Sequence, residues 1–218
     1  MNPPDAAFGS SVRAALTGLQ PVSLAAIFAA PLVTALIADA RADAGTDQAL
    51  AEVLAALVQV GLPRGRVFVL LGGDSAPPPA SVRARTLALS LAVPVLVHDP
   101  AAASFTAGRL ADGTAIALDD ELREAEAIVS IGPWEVSAGR GVEGGPFLLC
   151  PGLASSATRD AFAAAGAARG NAGALAFAAA AERLVPVDLA VWWSRRDGIL
   201  VASGRRAGEH AARAAGFA

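Results

Sequence analysis

The chain has 218 residues, 54% of them hydrophobic, 17% charged and 5% aromatic, with a formal net charge of −3. All 17 basic residues are arginine and neither lysine nor tyrosine occurs, which excludes a lysine Schiff base, a Walker-A lysine and a tyrosine general acid. An apolar, low-charge composition of this length belongs to a globular chain that buries a core without cross-links.

Cys150 is the single cysteine and His98 and His210 the two histidines. An internal disulfide is impossible, which fits a reducing, cytoplasmic setting, and soft or imidazole ligands for a zinc or iron–sulfur centre are few. No metal site is expected. The acidic isoelectric point of about 5.4 and the lack of a basic run argue against nucleic acid as a partner, because phosphate binding needs clustered cations. Arg195, Arg196, Arg205 and Arg206 form a local exception and read as solvated strand ends. The apolar stretch from Leu24 to Ala38 is 15 residues long and contains Pro31. It falls short of the roughly 18–20 residues of a membrane span, and it reads as a short helix in an N-terminal extension (1–30) followed by a buried strand.

From residue 31 onward the pattern is that of one α/β domain. PLVTALIA (31–38) is a continuous apolar run ending at Asp39, the mark of a parallel strand buried on both faces. Thr46 offers an N-cap for a helix carrying Leu50, Val53, Leu54 and Leu57, which Gly61 and Pro63 terminate. A strand over 67–71, a helix over about 80–91 and a strand over 94–98 continue the alternation. Strand–helix–strand repetition predicts a mainly parallel sheet with flanking helices. In the second half, 113–118 reads as a short strand, 119–126 as one or two exposed helical turns and 127–132 as another buried strand. A glycine-rich loop is expected over 133–146, helices over 155–168 and 172–184, and a C-terminal β-hairpin turning at Asp197 and Gly198. A last helix carries His210.

In an open α/β sheet, ligands bind beyond the carboxyl ends of the strands. The residues there are Asp39 and Arg41, Gly72, Gly73, Asp74 and Ser75, His98 and Asp99, and Pro133 with Trp134. Asp39 with Arg41 reads either as a carboxylate and guanidinium that orient a small polar substrate or as a strand end bonding its own loop. Gly72 to Ser75 can form a backbone nest for an anion. His98 beside Asp99 has the make-up of a general base or of a structural hydrogen-bonding residue. Trp134 either stacks on a ligand or caps the core. The segment 132–152 holds six glycines and three prolines, the composition of a backbone wrapped closely round something. Cys150 between leucine and proline reads as a buried, inert thiol.

Segments of this chain resemble, in order, the N-terminal domain of the nickel-dependent lactate racemase family. They are LLGGDSAP (70–77), VLVHDP (95–100), DGTAIALDDELREAEAIVSIGPW (112–134), SAGRGVEGG (137–145), LLCPGLASSAT (148–158) and the tail from Val187 to Ala215. The resemblance implies a racemase or epimerase of 2-hydroxy acids that uses a nickel pincer mononucleotide, with Gly144 and Gly145 near the cofactor. Its catalytic residues are largely absent, however. The two acid/base histidines of the family fall on Ser75 and Trp134, the cofactor-anchoring lysine on Phe147, and the nickel-ligating histidine near Phe162 or Ala163. Serine and tryptophan do not exchange a hydroxyl proton near neutral pH as imidazole does.

The sequence therefore points to a divergent racemase-like domain lacking the covalent nickel chemistry. The alternatives are a non-catalytic domain that binds a small carboxylate or nucleotide, and a half-site subunit of a two-chain isomerase. The expected partners are a small-molecule ligand and either a second copy or a separate second-domain chain.

Overall fold

The computed structural model describes residues 6–19, 23–30, 32–41, 44–73, 79–137, 141–194, 196–204, 206–214 and 216. In chain order the elements are α1 (Ala6–Thr17), α2 (Leu24–Ile27), β1 (Thr34–Asp39), α3 (Ala44–Gln59), β2 (Val67–Gly72), α4 (Pro79–Leu91) and β3 (Val95–Val97). There follow β4 (Ser104–Arg109), β5 (Ala115–Asp119), β6 (Ala127–Ser137), β7 (Gly141–Gly144), α5 (Ser156–Leu184), β8 (Leu189–Ser194), β9 (Gly198–Ser203) and α6 (Ala207–Ala214).

The main sheet has the order β3-β2-β1-β6-β8-β9, with β7 paired to the far half of β6. The pairings β2–β3, β1–β2, β1–β6 and β6–β8 are parallel, whereas β8–β9 and β6–β7 are antiparallel. This is the expected α/β class, with the parallel sheet, flanking helices and C-terminal hairpin in place.

The apolar runs became central strands because both of their faces are covered. On β1, Leu36 and Ala38 enter one core, which α1, α3 and α4 complete with Val12, Leu16, Leu50, Val53, Leu54, Leu57, Leu87 and Leu91. Ala35 and Ile37 point the other way, into a second core with Leu118, Leu149, Leu153, Phe177, Ala181, Trp192 and Ala211. The period-2 alternation of a strand thus feeds two layers at once. Each fully buried leucine contributes roughly 1.5–3 kcal/mol. Residues 1–30 supply two helices, and α1 packs on α3 and β9. Among the described residues, no helix is long and apolar enough to cross a membrane.

Several boundaries differ from the sequence reading. The first strand begins at Thr34, and α3 begins at Ala44, so Thr46 lies buried inside the first turn and is not the N-cap. Asp47 supplies negative charge in that turn instead, complementing the helix dipole. The expected loop over 133–146 is largely a hairpin: β6 runs through Trp134 to Ser137, and Trp134 pairs with Gly144 and Glu135 with Glu143. Its glycines masked the alternation that would mark a strand. The strand β4 was not foreseen, and its partly exposed residues pair with β5 in a separate two-stranded sheet. The two helices expected on either side of 169–171 form one long element that breaks at Gly170, whose φ of 61° and ψ of −151° only glycine adopts readily. Ser155 caps its start by accepting the Thr158 N–H.

Candidate functional site

Chain connections leave β1 in one direction for β2 and β3 and later return on its other side to β6 and β8. The crevice beyond the carboxyl ends of β1 and β6 is therefore a topological switch point, the place where open α/β sheets bind ligands. A cavity of about 610 Å³ lies there, lined by the ends of β1 and β2, by β7 with the turn after it, and by α5 around its break.

Its near wall follows from strand register. Asp39 ends β1 opposite Gly72 at the end of β2, and the Ala40 N–H donates to the Gly72 carbonyl at 2.6 Å. The next amide, Gly73 N–H, donates across to the Gly152 carbonyl at 3.0 Å. A Cβ on residue 72 would stand 2.5 Å from both the Gly152 oxygen and Leu153 Cδ2. Glycine is required there for the close approach of two backbones.

Arg41 lies over Asp39. Its Nη2 donates to Asp39 Oδ2 at 2.7 Å and its Nε reaches both carboxylate oxygens, while the Arg41 N–H donates to Oδ1 at 2.7 Å. The strand end is therefore bonded to its own loop, and the pair still lines the cavity. Beneath it sits Arg83 of α4, 8% exposed. Arg83 Nη1 donates to the carbonyl of Asp39 at 2.6 Å and to that of Arg41, and its Nη2 donates to Asp47 Oδ1 at 2.5 Å. One guanidinium thus ties β1, its following loop and α3 together. Sequence reasoning missed Arg83, although a signal was present: it lies on the stripe of Leu87 and Leu91 at i, i+4 and i+8, where a charge needs a buried partner.

The far wall is aromatic. Phe147 and Phe162 both line the cavity, with ring centroids 5.3 Å apart and planes at 75°. Phe177 continues the series edge-on to Phe162 at 5.8 Å. Glu143, Gly144 and Asn171 complete the polar part of the lining.

Of the residues singled out in the sequence, Asp39, Arg41, Gly72, Gly73 and Gly144 meet at this cavity. Asp74 and Ser75 lie outside the described residues. Gly145 is buried, and a Cβ there would touch Trp134 and Trp192. Trp134 itself is 5% exposed and belongs to the second core. His98 is 3% exposed and not part of the lining. Its Nδ1 bonds Asp119 Oδ2 at 2.5 Å and its Nε2 donates to the Ala154 carbonyl at 3.0 Å. Neither nitrogen presents a lone pair to the cleft, so the geometry is that of a clasp between β3, β5 and the turn before α5. The neighbouring Asp99 accepts the Ala101 N–H in its own turn. Cys150 is buried, and burial pushes its thiol up to about 12 against the opposing charge of Arg159. It is therefore a poor nucleophile.

The donor set does not fit the nickel pincer group that the resemblance implies. The positions matched to its lysine anchor and nickel ligand carry Phe147 and Phe162 or Ala163, and no lysine exists anywhere in the chain. Among the described residues, no three histidine, cysteine, aspartate or glutamate side chains gather closely enough to hold a metal ion.

No family model matches the sequence, and no curated protein matches it. Among solved structures, the fold is similar to that of the lactate racemase apoprotein from Thermoanaerobacterium thermosaccharolyticum, with a TM-score of 0.69 at 17% identity. The match covers 93% of this chain and 53% of the racemase, so the chain spans about half the length of that protein. At this identity the likeness is one of fold.

Proposed function

We propose that this chain is a small-molecule-binding domain built on a lactate-racemase-like fold, in which the cleft persists and the covalent nickel-pincer chemistry does not. The observation that carries the reading is the edge-on contact of Phe147 with Phe162 inside the cavity. Phenyl rings that support one another at 5.3 Å neither anchor a cofactor covalently nor ligate nickel; they build an apolar wall. His98, turned into a buried clasp, supports the same reading, since racemisation at a carbon bearing a hydroxyl needs a base that can reach it. What remains is a cleft with backbone polar groups, the Asp39–Arg41 ion pair and an aromatic face, the make-up of a binding pocket.

The test is an activity assay. The purified chain, supplied with the nickel pincer cofactor, is incubated with L-lactate and the D-isomer is measured. No D-lactate above the protein-free control is expected, and cofactor-dependent turnover would contradict the proposal.

A further inference from the structure

The charge of the cleft restricts what it can hold. Arg41 is the single cation among its described lining residues, and its guanidinium is already laid on Asp39 through three contacts of 2.7–3.1 Å. Asp39 in turn accepts the Arg41 backbone N–H. A carboxylate ligand that meets Arg41 meets a guanidinium whose charge Asp39 already balances. Glu143 adds a second carboxylate to the lining. Opposite stand Phe147 and Phe162, whose ring faces carry the negative end of the aromatic quadrupole and attract cations. Val142, Leu148 and Ala174 make the remaining wall apolar.

Resting on the reading of this cleft as a binding site, we infer that it takes an organic cation, an ammonium group attached to an apolar ring or chain, in preference to a carboxylate. The phenyl rings take the cationic head and its alkyl substituents. The Asp39–Arg41 pair is the selectivity element, because it cancels the one charge that would attract an anion.

Three probes of like size and different charge test this: benzyltrimethylammonium, benzyl alcohol and benzoate, titrated into the full chain by calorimetry and ligand-observed NMR. Saturable binding of the ammonium at one site is expected, with benzoate at least about tenfold weaker. Phe147→Leu and Phe162→Leu should each weaken the ammonium by about two- to fivefold at unchanged near-ultraviolet circular dichroism. Asp39→Asn should improve benzoate binding by releasing Arg41, a gain that loss of folding does not produce. Benzoate binding as tightly as the ammonium in the unaltered chain would overturn the inference, as would ammonium binding that neither phenylalanine substitution moves. Binding of benzyl alcohol alone would also overturn it while leaving the cleft as a site. Silence from all three would count against the binding-site reading itself.

Discussion

Glu182 shows how a single side chain sets a pH window. It is 8% exposed on α5, and its Oε1 accepts the Gly208 N–H at the start of α6 at 2.9 Å. Burial, with a smaller push from the Glu209 carboxylate, raises it from 4.5 to about 7, against the lowering effect of two backbone N–H groups and Arg206. A raised acid holds its proton more tightly in the folded than in the unfolded chain. Stability is therefore greatest below the unfolded value and declines as pH rises through about 4.5 to 7, by roughly 3 kcal/mol in all. Glu182→Gln should flatten that slope, which urea unfolding at pH 4.5 and 7.5 will read; an unchanged slope would assign it to another group. Gly72 acts through space alone. Gly72→Ala places a methyl 2.5 Å from the Gly152 carbonyl oxygen and should cost about 1–3 kcal/mol, seen as a lowered midpoint in the same titration.

Among the elements, the end of β1 with Arg41 beyond it owes its position at the cleft to a helix on another part of the chain. Arg83→Met keeps the buried stem and removes every bond to Asp39, Arg41 and Asp47. A loss of about 2–4 kcal/mol is expected, with faster hydrogen exchange at residues 44–47 and little change in β2 or β6. Exchange that rises evenly across the sheet would contradict a local role. Lysine at this position should recover only part of the loss, because it lacks the planar fork. These elements were unequally legible in the sequence. β1, β2, β6 and β8 announced themselves as apolar runs because helices or loops cover both faces. β4 and β7 were hidden because exposed residues and glycines erase the alternation. The break in α5 was visible as the gap round Gly170, where the helical pattern stops and restarts. Asp39, Arg41, Gly72 and Gly73 could be placed at the site because strand ends are recognisable and the carboxyl-end rule is general. Phe147 and Phe162 were reached only through the resemblance, as the positions of its lysine anchor and nickel ligand; by pattern alone a phenylalanine in an apolar stretch reads as core, and their contact exists only once α5 packs on the turn after β7.

At the scale of the molecule, three layers place a crevice at the switch point whatever residues line it. The lining then decides the chemistry. Here the fold is similar to that of a lactate racemase apoprotein at 17% identity, while the positions that the sequence resemblance matches to a nickel cofactor's anchor and ligand carry phenyl rings or alanine. The measurement that tests this most directly is intact mass together with the nickel-to-protein ratio after expression alongside the enzymes that make the pincer cofactor. The account predicts the unmodified mass of the chain and nickel well below one per molecule. Added covalent mass, or nickel near one per chain that survives desalting, would contradict it.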